Sequence, residues 1–177
     1  MYFGEKIRLR AYEKEDAELA HKYFTTPETR KNIDIGIPYP ISLREEEKWL
    51  ETAVRDGECY TFAIETLEDS KYIGGCGINN IDRKNSVATV GISIGDEEYK
   101  GKGYGTDAMK TLVNFIFNEV NVNKVKLNVF SFNERAIKSY EKVGFKKEGV
   151  LRQEIYRFGK YYDVIVMGIL KEEFLNK

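Results

Sequence analysis

The chain has 177 residues, a length that fits one domain with a substantial hydrophobic core. Its 28 Lys and Arg residues nearly balance its 29 Asp and Glu residues, which argues against nucleic acid as a partner. No second Cys or His lies near Cys59 or Cys76, and no apolar run reaches membrane-spanning length, so we expect a cytoplasmic protein with reduced thiols, no metal site and no membrane partner.

Hydrophobic periodicity predicts alternating groups of strands and helices. In chain order these are a strand at Ile7–Arg10, helices at Glu13–Phe24 and from Ser42 to about Val54, strands at Tyr60–Glu65, Tyr72–Ile81 and Ser86–Ile94, a helix at Thr106–Val120, a strand at Lys124–Phe130, a helix at Asn133–Val143, and strands at Leu151–Tyr156 and Tyr162–Ile169. The short turns between the three central strands favour an antiparallel meander. The order predicts an α/β domain around a mixed sheet.

Capping and breaking residues mark the helix boundaries. Ser42 and Glu45 have the spacing of a capping box, and Gly57 is expected to end the helix that they open. Pro27 is predicted to stop the first helix, and Gly144 fits the C-terminal stop of the helix that ends at Val143.

A glycine-rich segment lies between the third central strand and the next helix. It reads Tyr99-Lys100-Gly101-Lys102-Gly103-Tyr104-Gly105-Thr106. Glycine allows positive φ and close approach of a ligand, and the first N–H groups of a helix are unpaired at the positive end of its dipole. The segment therefore predicts a phosphate or pyrophosphate site, with an ordinary turn as the alternative. It lacks both the Walker A pattern and the Gly-x-Gly-x-x-Gly spacing of dinucleotide-binding domains.

Two motifs carry a family resemblance. The run from Lys100 to Gly105 is similar to the acetyl-CoA signature Gln/Arg-x-x-Gly-x-Gly/Ala of the GCN5-related N-acetyltransferase (GNAT) superfamily, and departs from it only at Lys100. The run from Asn133 through Tyr140 to Phe145 resembles that family's Asn-x-x-Ala-x-x-x-Tyr-x-x-x-Gly-Phe element. Within the superfamily the chain is most similar to the ribosomal-protein N-terminal (RimJ/RimL-type) and spermidine acetyltransferases, on the segments Arg8–Arg10, Gly144–Gly149 and Gly159–Asp163.

The resemblance implies one α/β GNAT-type domain over residues 1–177, with a mixed, mostly antiparallel sheet of about seven strands flanked by four helices. It also implies acetyl-CoA as co-substrate and direct attack by an amine, either a protein N-terminus or a small amine such as a polyamine, in a ternary complex. A homodimer is compatible with it. A non-catalytic acyl-CoA sensor and a nucleotide-binding protein of another fold remain alternatives.

The resemblance assigns the cofactor and catalytic residues. Backbone groups of Ile92, Ser93 and Ile94 are expected to bind the pantetheine arm, and Asn133 to contact it. Tyr140 is expected to protonate the departing thiolate, because a phenol has a pKa near 10, close to that of a thiol. Asn133 alternatively caps a helix, and Tyr140 alternatively packs in the core.

The general base and the acceptor site are less well marked. Thr89 stands where many relatives carry a Glu, and Ile155 stands where ribosomal-protein acetylating relatives carry one, with Glu154 beside it. A water chain or capture of the neutral amine can replace a base. The residues expected to hold the acceptor are Asp34, Tyr39, Trp49, Glu154 and Tyr162.

Overall fold

The computed structural model describes residues 1–33, 36–37, 39–52 and 59–176. Its elements are β1 (Tyr2–Phe3), β2 (Ile7–Arg10), α1 (Asp16–Phe24), α2 (Pro27–Ile33), α3 (Leu43–Thr52), β3 (Tyr60–Thr66), β4 (Tyr72–Asp82), β5 (Val87–Ile94), α4 (Tyr104–Phe115), β6 (Lys124–Phe130), α5 (Glu134–Val143), β7 (Lys146–Arg157), β8 (Lys160–Leu170) and α6 (Lys171–Leu175). The predicted acceptor residue Asp34, and the helix end predicted at Val54 and Gly57, lie outside the described residues.

One sheet runs through the molecule in the order β1-β2-β3-β4-β5-β6-β8-β7. Neighbouring strands are antiparallel except β5 and β6, which are parallel. These two strands pair only where Val87–Thr89 meets Lys124–Lys126. Beyond that point they separate, so the middle of the sheet opens into a gap beside residues 90–94.

Helices cover both faces of the sheet. Ala63 of β3 packs in a cluster with Ala20 and Tyr23 of α1, whereas the next residue, Ile64, belongs to the main core together with α4 and α5. Successive strand residues point to opposite faces, so α1 lies on one face and α4 and α5 lie on the other. Because α3 and α2 pack against α1, the gap between β5 and β6 has the α1–α3 layer on one side and the α4–α5 layer on the other.

The predicted mixed, mostly antiparallel sheet and the central meander are confirmed. The predicted numbers of about seven strands and four helices were too low, since the sheet has eight strands and the described residues contain six α-helices. The prediction that Pro27 stops a helix missed the helix that Pro27 begins. Thr26 accepts the N–H of Thr29 at 3.3 Å as a cap, and proline at the first helical position lacks only an N–H that would be unpaired anyway.

Other boundaries also differ from the predicted ones. The helix predicted from Thr106 begins at Tyr104 and continues after Phe115 as a π-helical turn. The strand predicted from Leu151 begins at Lys146, because β-bulges let one long strand follow β8. None of the helices in the described ranges combines the length and apolar character needed to cross a membrane.

Candidate active site

A cleft of about 1370 Å³ passes through the gap between β5 and β6. Glu46 and Trp49 of α3 line it on one face of the sheet, and Thr106 and Tyr140 line it on the other. Strand residues 91–94 of β5 and 128–130 of β6 form the walls between them. A long, thin ligand can therefore reach from the α4–α5 layer to the α1–α3 layer.

The glycine-rich segment forms the entrance to the cleft on the α4–α5 side. Gly101 and Gly103 have φ of +76° and +92°, which is the left-handed region that glycine tolerates best. Gly103 caps α4 without a side chain, so the first N–H groups of this helix have no acceptor within the helix. A Cβ on Gly103 would find only the Nζ of Lys6 within 4.0 Å. The turn therefore presents open space and unpaired donors, which suits an anion.

Lys6 is a residue of this entrance that sequence analysis missed. Its Nζ donates to the carbonyl oxygen of Lys102 at 3.1 Å and lies 5.2 Å from the ring centroid of Tyr104. The carboxylate of Asp107, in the first turn of α4, accepts the N–H groups of Glu5, Lys6 and Ile7 at 3.1, 2.8 and 3.2 Å. Asp107 thus ties the turn between β1 and β2 to the glycine-rich segment. No local sequence pattern signals a contact so distant along the chain.

The open edge of β5 carries free backbone groups. The N–H of Gly95 donates to the carbonyl of Ile73 at 2.9 Å, which sets the alternation of the β4–β5 ladder. In an antiparallel ladder each residue directs its N–H and C=O to one neighbouring strand, and the next residue directs them to the strand on the other side. Ser93, two residues before Gly95, therefore pairs with β4. Ile92 and Ile94 then direct their N–H and C=O groups toward the gap, where β6 does not pair with them.

Asn133 and Tyr140 lie on α5 beside this gap, and both line the cleft. The Oδ1 of Asn133 accepts the N–H of Ala136 at 3.3 Å, so Asn133 is the helix cap that sequence analysis offered as an alternative. The hydroxyls of Thr106 and Ser139 are 2.7 Å apart and join the start of α4 to α5. This contact fixes the helix that carries Tyr140 relative to the glycine-rich segment.

Tyr140 combines burial with a place on the cleft wall. Its side chain is 8% exposed and its ring packs edge-on against Phe145, with centroids 6.0 Å apart. Burial raises the pKa of the phenol to about 12. The hydroxyl therefore stays protonated at neutral pH, as a proton donor must.

The predicted acceptor residues divide into two groups. Trp49 and Glu154 line the cleft, and the Trp49 ring is 46% exposed and lies edge-on to Tyr12 at 5.8 Å. Tyr39 is 68% exposed and Tyr162 packs against Phe132, and neither lines the cleft. Within the glycine-rich segment, Lys102 and Tyr104 also lie outside the lining, and the Tyr104 hydroxyl donates to Glu68 at 2.6 Å.

Thr89 and Ile155, the two positions where the family resemblance led us to look for a Glu, both line the cleft. Neither side chain can accept a proton at neutral pH. Sequence analysis missed Glu46, which is buried at the acceptor end of the cleft. Its position between Leu43 and Leu50, on the apolar stripe of α3, was a signal that could have identified it.

Charge is distributed unevenly along the cleft. Among the described residues, the α4–α5 end is mostly basic, with Lys100, Arg135, Lys138 and Lys142 beside Glu134. The acceptor end has Glu45 and Glu46 of α3 and Arg30 of α2, and Glu154 of β7 also lines the cleft. The basic end suits phosphates, and the carboxyl groups of the acceptor end suit a cationic amine.

Comparisons with known proteins agree with this geometry. Residues 6–146 match the family described as "Acetyltransferase (GNAT) domain". The chain is 33% identical to the SPbeta prophage-derived uncharacterized N-acetyltransferase YokL of Bacillus subtilis over 97% of this chain and 93% of that protein. It is 29% identical to the spermidine N(1)-acetyltransferase of Vibrio cholerae over 98% of both chains. A crystal structure of the spermidine N-acetyltransferase from Vibrio cholerae, in complex with CoA and spermine, superposes with a TM-score of 0.86 at 28% identity over 96% of this chain and 98% of that one.

Proposed function

The chain belongs to the acetyltransferase (GNAT) family, and we propose that the amine it acetylates is a small polycationic amine of the polyamine class. The enzyme transfers the acetyl group of acetyl-CoA to an amine. The observation that carries the proposal is the pair of carboxyl groups that α3 brings to the acceptor end of the cleft, Glu45 and Glu46. Ammonium groups are attracted to such an end, and the similar Vibrio cholerae enzyme was solved with spermine.

The cofactor assignment follows the charge and the free donors of the cleft. We propose that the N–H groups of residues 101–106 bind the pyrophosphate, with Lys6 nearby to offset its charge, whereas Lys100 is already paired with Glu97. The free backbone groups of Ile92 and Ile94 pair with the amides of pantetheine, and Asn133 contacts the same arm. The thioester then lies in the gap between β5 and β6, next to Tyr140.

The reaction needs few protein groups. The neutral amine attacks the thioester carbonyl, a C–N bond forms, and the oxygen that becomes negative accepts an N–H from the open edge of β5. The C–S bond breaks as Tyr140 donates its proton to the sulfur. Once the C–N bond has formed, the nitrogen loses its surplus proton to water, since neither Thr89 nor Ile155 can take it, and Tyr140 regains a proton from water. An acceptor that enters as the free amine needs no base before the attack.

The test is a CoA-release assay with spermidine, spermine, N-terminal peptides of basic proteins, amino acids and aminoglycosides. We expect kcat/KM for a polyamine to exceed that of every other acceptor by at least about tenfold. A preference for the peptides would make a protein N-terminus the acceptor. Release with none of them, despite CoA binding, would favour a non-catalytic acyl-CoA sensor. Light scattering on the same preparation tests the homodimer with which the family resemblance is compatible.

Lys6→Ala is expected to weaken CoA binding about threefold at low salt, because it removes one exposed charge beside the phosphates. The loss should shrink as ionic strength rises. Calorimetry with CoA at two salt concentrations measures both effects. Lys110→Ala, which removes an exposed lysine from α4 away from the cleft, should leave binding unchanged. Equal losses in the two variants would mean that only the general charge of the protein matters.

Replacing both cysteines by alanine should leave turnover within about twofold of wild type, because neither thiol acts as a nucleophile. Cys76 lines the cleft, but its burial raises the pKa of the thiol and keeps it protonated. Cys59 donates its thiol proton to the carbonyl of Asn79 at 3.1 Å. Mass spectrometry of the enzyme mixed with acetyl-CoA alone gives the decisive measurement. An acetylated cysteine that is discharged by the acceptor amine would contradict the ternary-complex mechanism.

A further inference from the structure

Glu46 is a buried carboxyl group that faces the cleft without a hydrogen-bond partner in the described part of the chain. Its side chain is 5% exposed and lies among the residues that line the acceptor end. Neither a hydrogen bond nor an ion pair within 4.0 Å joins it to another residue of the described ranges. The carboxylate is largely shielded from water, so its ionisation costs free energy that a cationic ligand in the cleft would offset.

The two glutamates beside it have ordinary surroundings. Glu45 is exposed, and its carboxylate accepts the N–H of Ser42 at 2.7 Å as part of the predicted capping box. Glu47 is exposed and lies outside the cleft. Helix capping and surface solvation therefore explain Glu45 and Glu47, but they do not explain Glu46.

The charged and titratable groups around Glu46 come from three other elements. His21 of α1 and Arg30 of α2 stabilise the carboxylate through space, while desolvation opposes ionisation more strongly and raises its pKa. Burial raises the pKa values of the Tyr12 and Tyr72 phenols, and the charge of Glu46 adds a smaller increase. The attraction to His21 and Arg30 reduces the cost of the buried charge without cancelling it.

We propose that the Glu46 carboxylate binds an ammonium group of the acceptor other than the nitrogen that is acetylated. The inference rests on the proposed function and makes Glu46 the residue that selects amines with a second cationic group. The two nitrogens must differ, because an ammonium held by a carboxylate has no lone pair with which to attack the thioester. The second ammonium fills the acceptor end of the cleft while the free amine reaches the thioester in the gap.

Glu46→Gln tests this contact, with Glu47→Gln on the same helix as the matched control. For Glu46→Gln we expect the KM for spermidine to rise about tenfold, as for loss of a charged hydrogen bond, while kcat changes less than about threefold. The KM for acetyl-CoA should not change. A monoamine of similar length should lose less than about twofold in kcat/KM, because it has no ammonium for Glu46 to bind. An unchanged KM for spermidine, or equal losses for spermidine and the monoamine, would overturn the proposal.

Calorimetric binding of spermidine to the CoA-bound enzyme separates this inference from the proposed function. If wild type neither binds nor acetylates a polyamine, both fail together. If wild type does so and Glu46→Gln binds equally well, only the role of Glu46 fails. Glu46→Asp keeps the charge on a shorter side chain, so its affinity for spermidine should lie between those of Glu46→Gln and wild type. If Glu46→Gln does not fold, Glu46→Asp serves as the test instead. In that case an affinity equal to that of wild type would count against the contact.

The thermal stability of Glu46→Gln distinguishes a carboxylate that binds a ligand from one that stabilises the fold. A raised pKa means that the folded protein holds the Glu46 proton more tightly than the unfolded chain does, so stability is lost as pH rises through that pKa. Glu46→Gln should therefore have a melting temperature at pH 7 no lower than wild type. A large decrease at pH 7 would show that the ionised carboxylate stabilises the fold and would contradict the proposal.

Discussion

Tyr140→Phe is expected to lower turnover by at least about tenfold while the affinity for acetyl-CoA changes little. The substitution removes the hydroxyl and keeps the ring that packs against Phe145. General acid catalysis contributes roughly 10²–10⁴-fold, and water in the cleft can replace part of it. Steady-state kinetics with saturating acetyl-CoA and calorimetry with CoA measure the two quantities separately.

The raised pKa of Tyr140 is compatible with this role. A pKa of about 12 makes the phenol a weaker acid than an ordinary tyrosine. Burial also raises the pKa of the Cys76 thiol, which lines the same cleft, so we expect desolvation to raise the pKa of a departing thiol in the same direction. Because Tyr140 stays protonated below its raised pKa, the pH profile of kcat should show no falling limb from this residue between pH 6 and about pH 10.

Tyr23→Phe is the control for losing a buried hydroxyl away from the cleft. Tyr23 is as buried as Tyr140, donates to Asp96 at 2.8 Å and does not line the cleft. This variant should lose some stability but keep its rate. A near-normal rate for Tyr140→Phe would mean that the ring only packs. A loss of CoA affinity as large as the loss of rate would assign Tyr140 to cofactor positioning instead of proton donation.

Local sequence signals were sufficient for features that depend on neighbouring residues. The capping box at Ser42 forms as predicted, with the Glu45 N–H donating to the serine Oγ at 3.3 Å. Gly144 ends α5 with a φ of +119°. The glycine-rich turn begins a helix, as its position after a strand indicated. In each case the hydrogen bonds and the backbone angles are set within a few residues, so a single sequence contains the necessary information.

Features that depend on distant contacts were not accessible in the same way. Lys6 reaches the glycine-rich segment only because Asp107 binds the turn that carries it. Tyr39 and Tyr162 lie in segments with the expected composition, but neither side chain lines the cleft; Tyr162 packs behind residues that do. Pro27 shows an ambiguity of a local signal, since proline is compatible with the end of one helix and with the first residue of the next. Only packing decides between such outcomes.

Gly103→Val is expected to weaken CoA binding by at least about tenfold. Two causes act together. A β-branched residue at a φ of +92° is strained, and its side chain would fill the open space beside Lys6 that the phosphates need. Each hydrogen bond from an N–H to a charged phosphate contributes about 1.5–3 kcal/mol, so disturbing one of them suffices for the predicted loss. Calorimetry with CoA measures the change directly.

Gly159→Val separates these two causes. Gly159 has a φ of +74° in the turn between β7 and β8, has no other atom within 4 Å of an added Cβ, and lies outside the cleft. Valine should therefore strain the backbone at both positions to a similar degree, and the melting temperatures of the two variants should fall alike. Only Gly103→Val should lose CoA affinity, because only there does the side chain enter the space proposed for the phosphates. Equal affinity losses in the two variants would trace the effect to general destabilisation, and an unchanged affinity in Gly103→Val would move the pyrophosphate away from the glycine-rich turn.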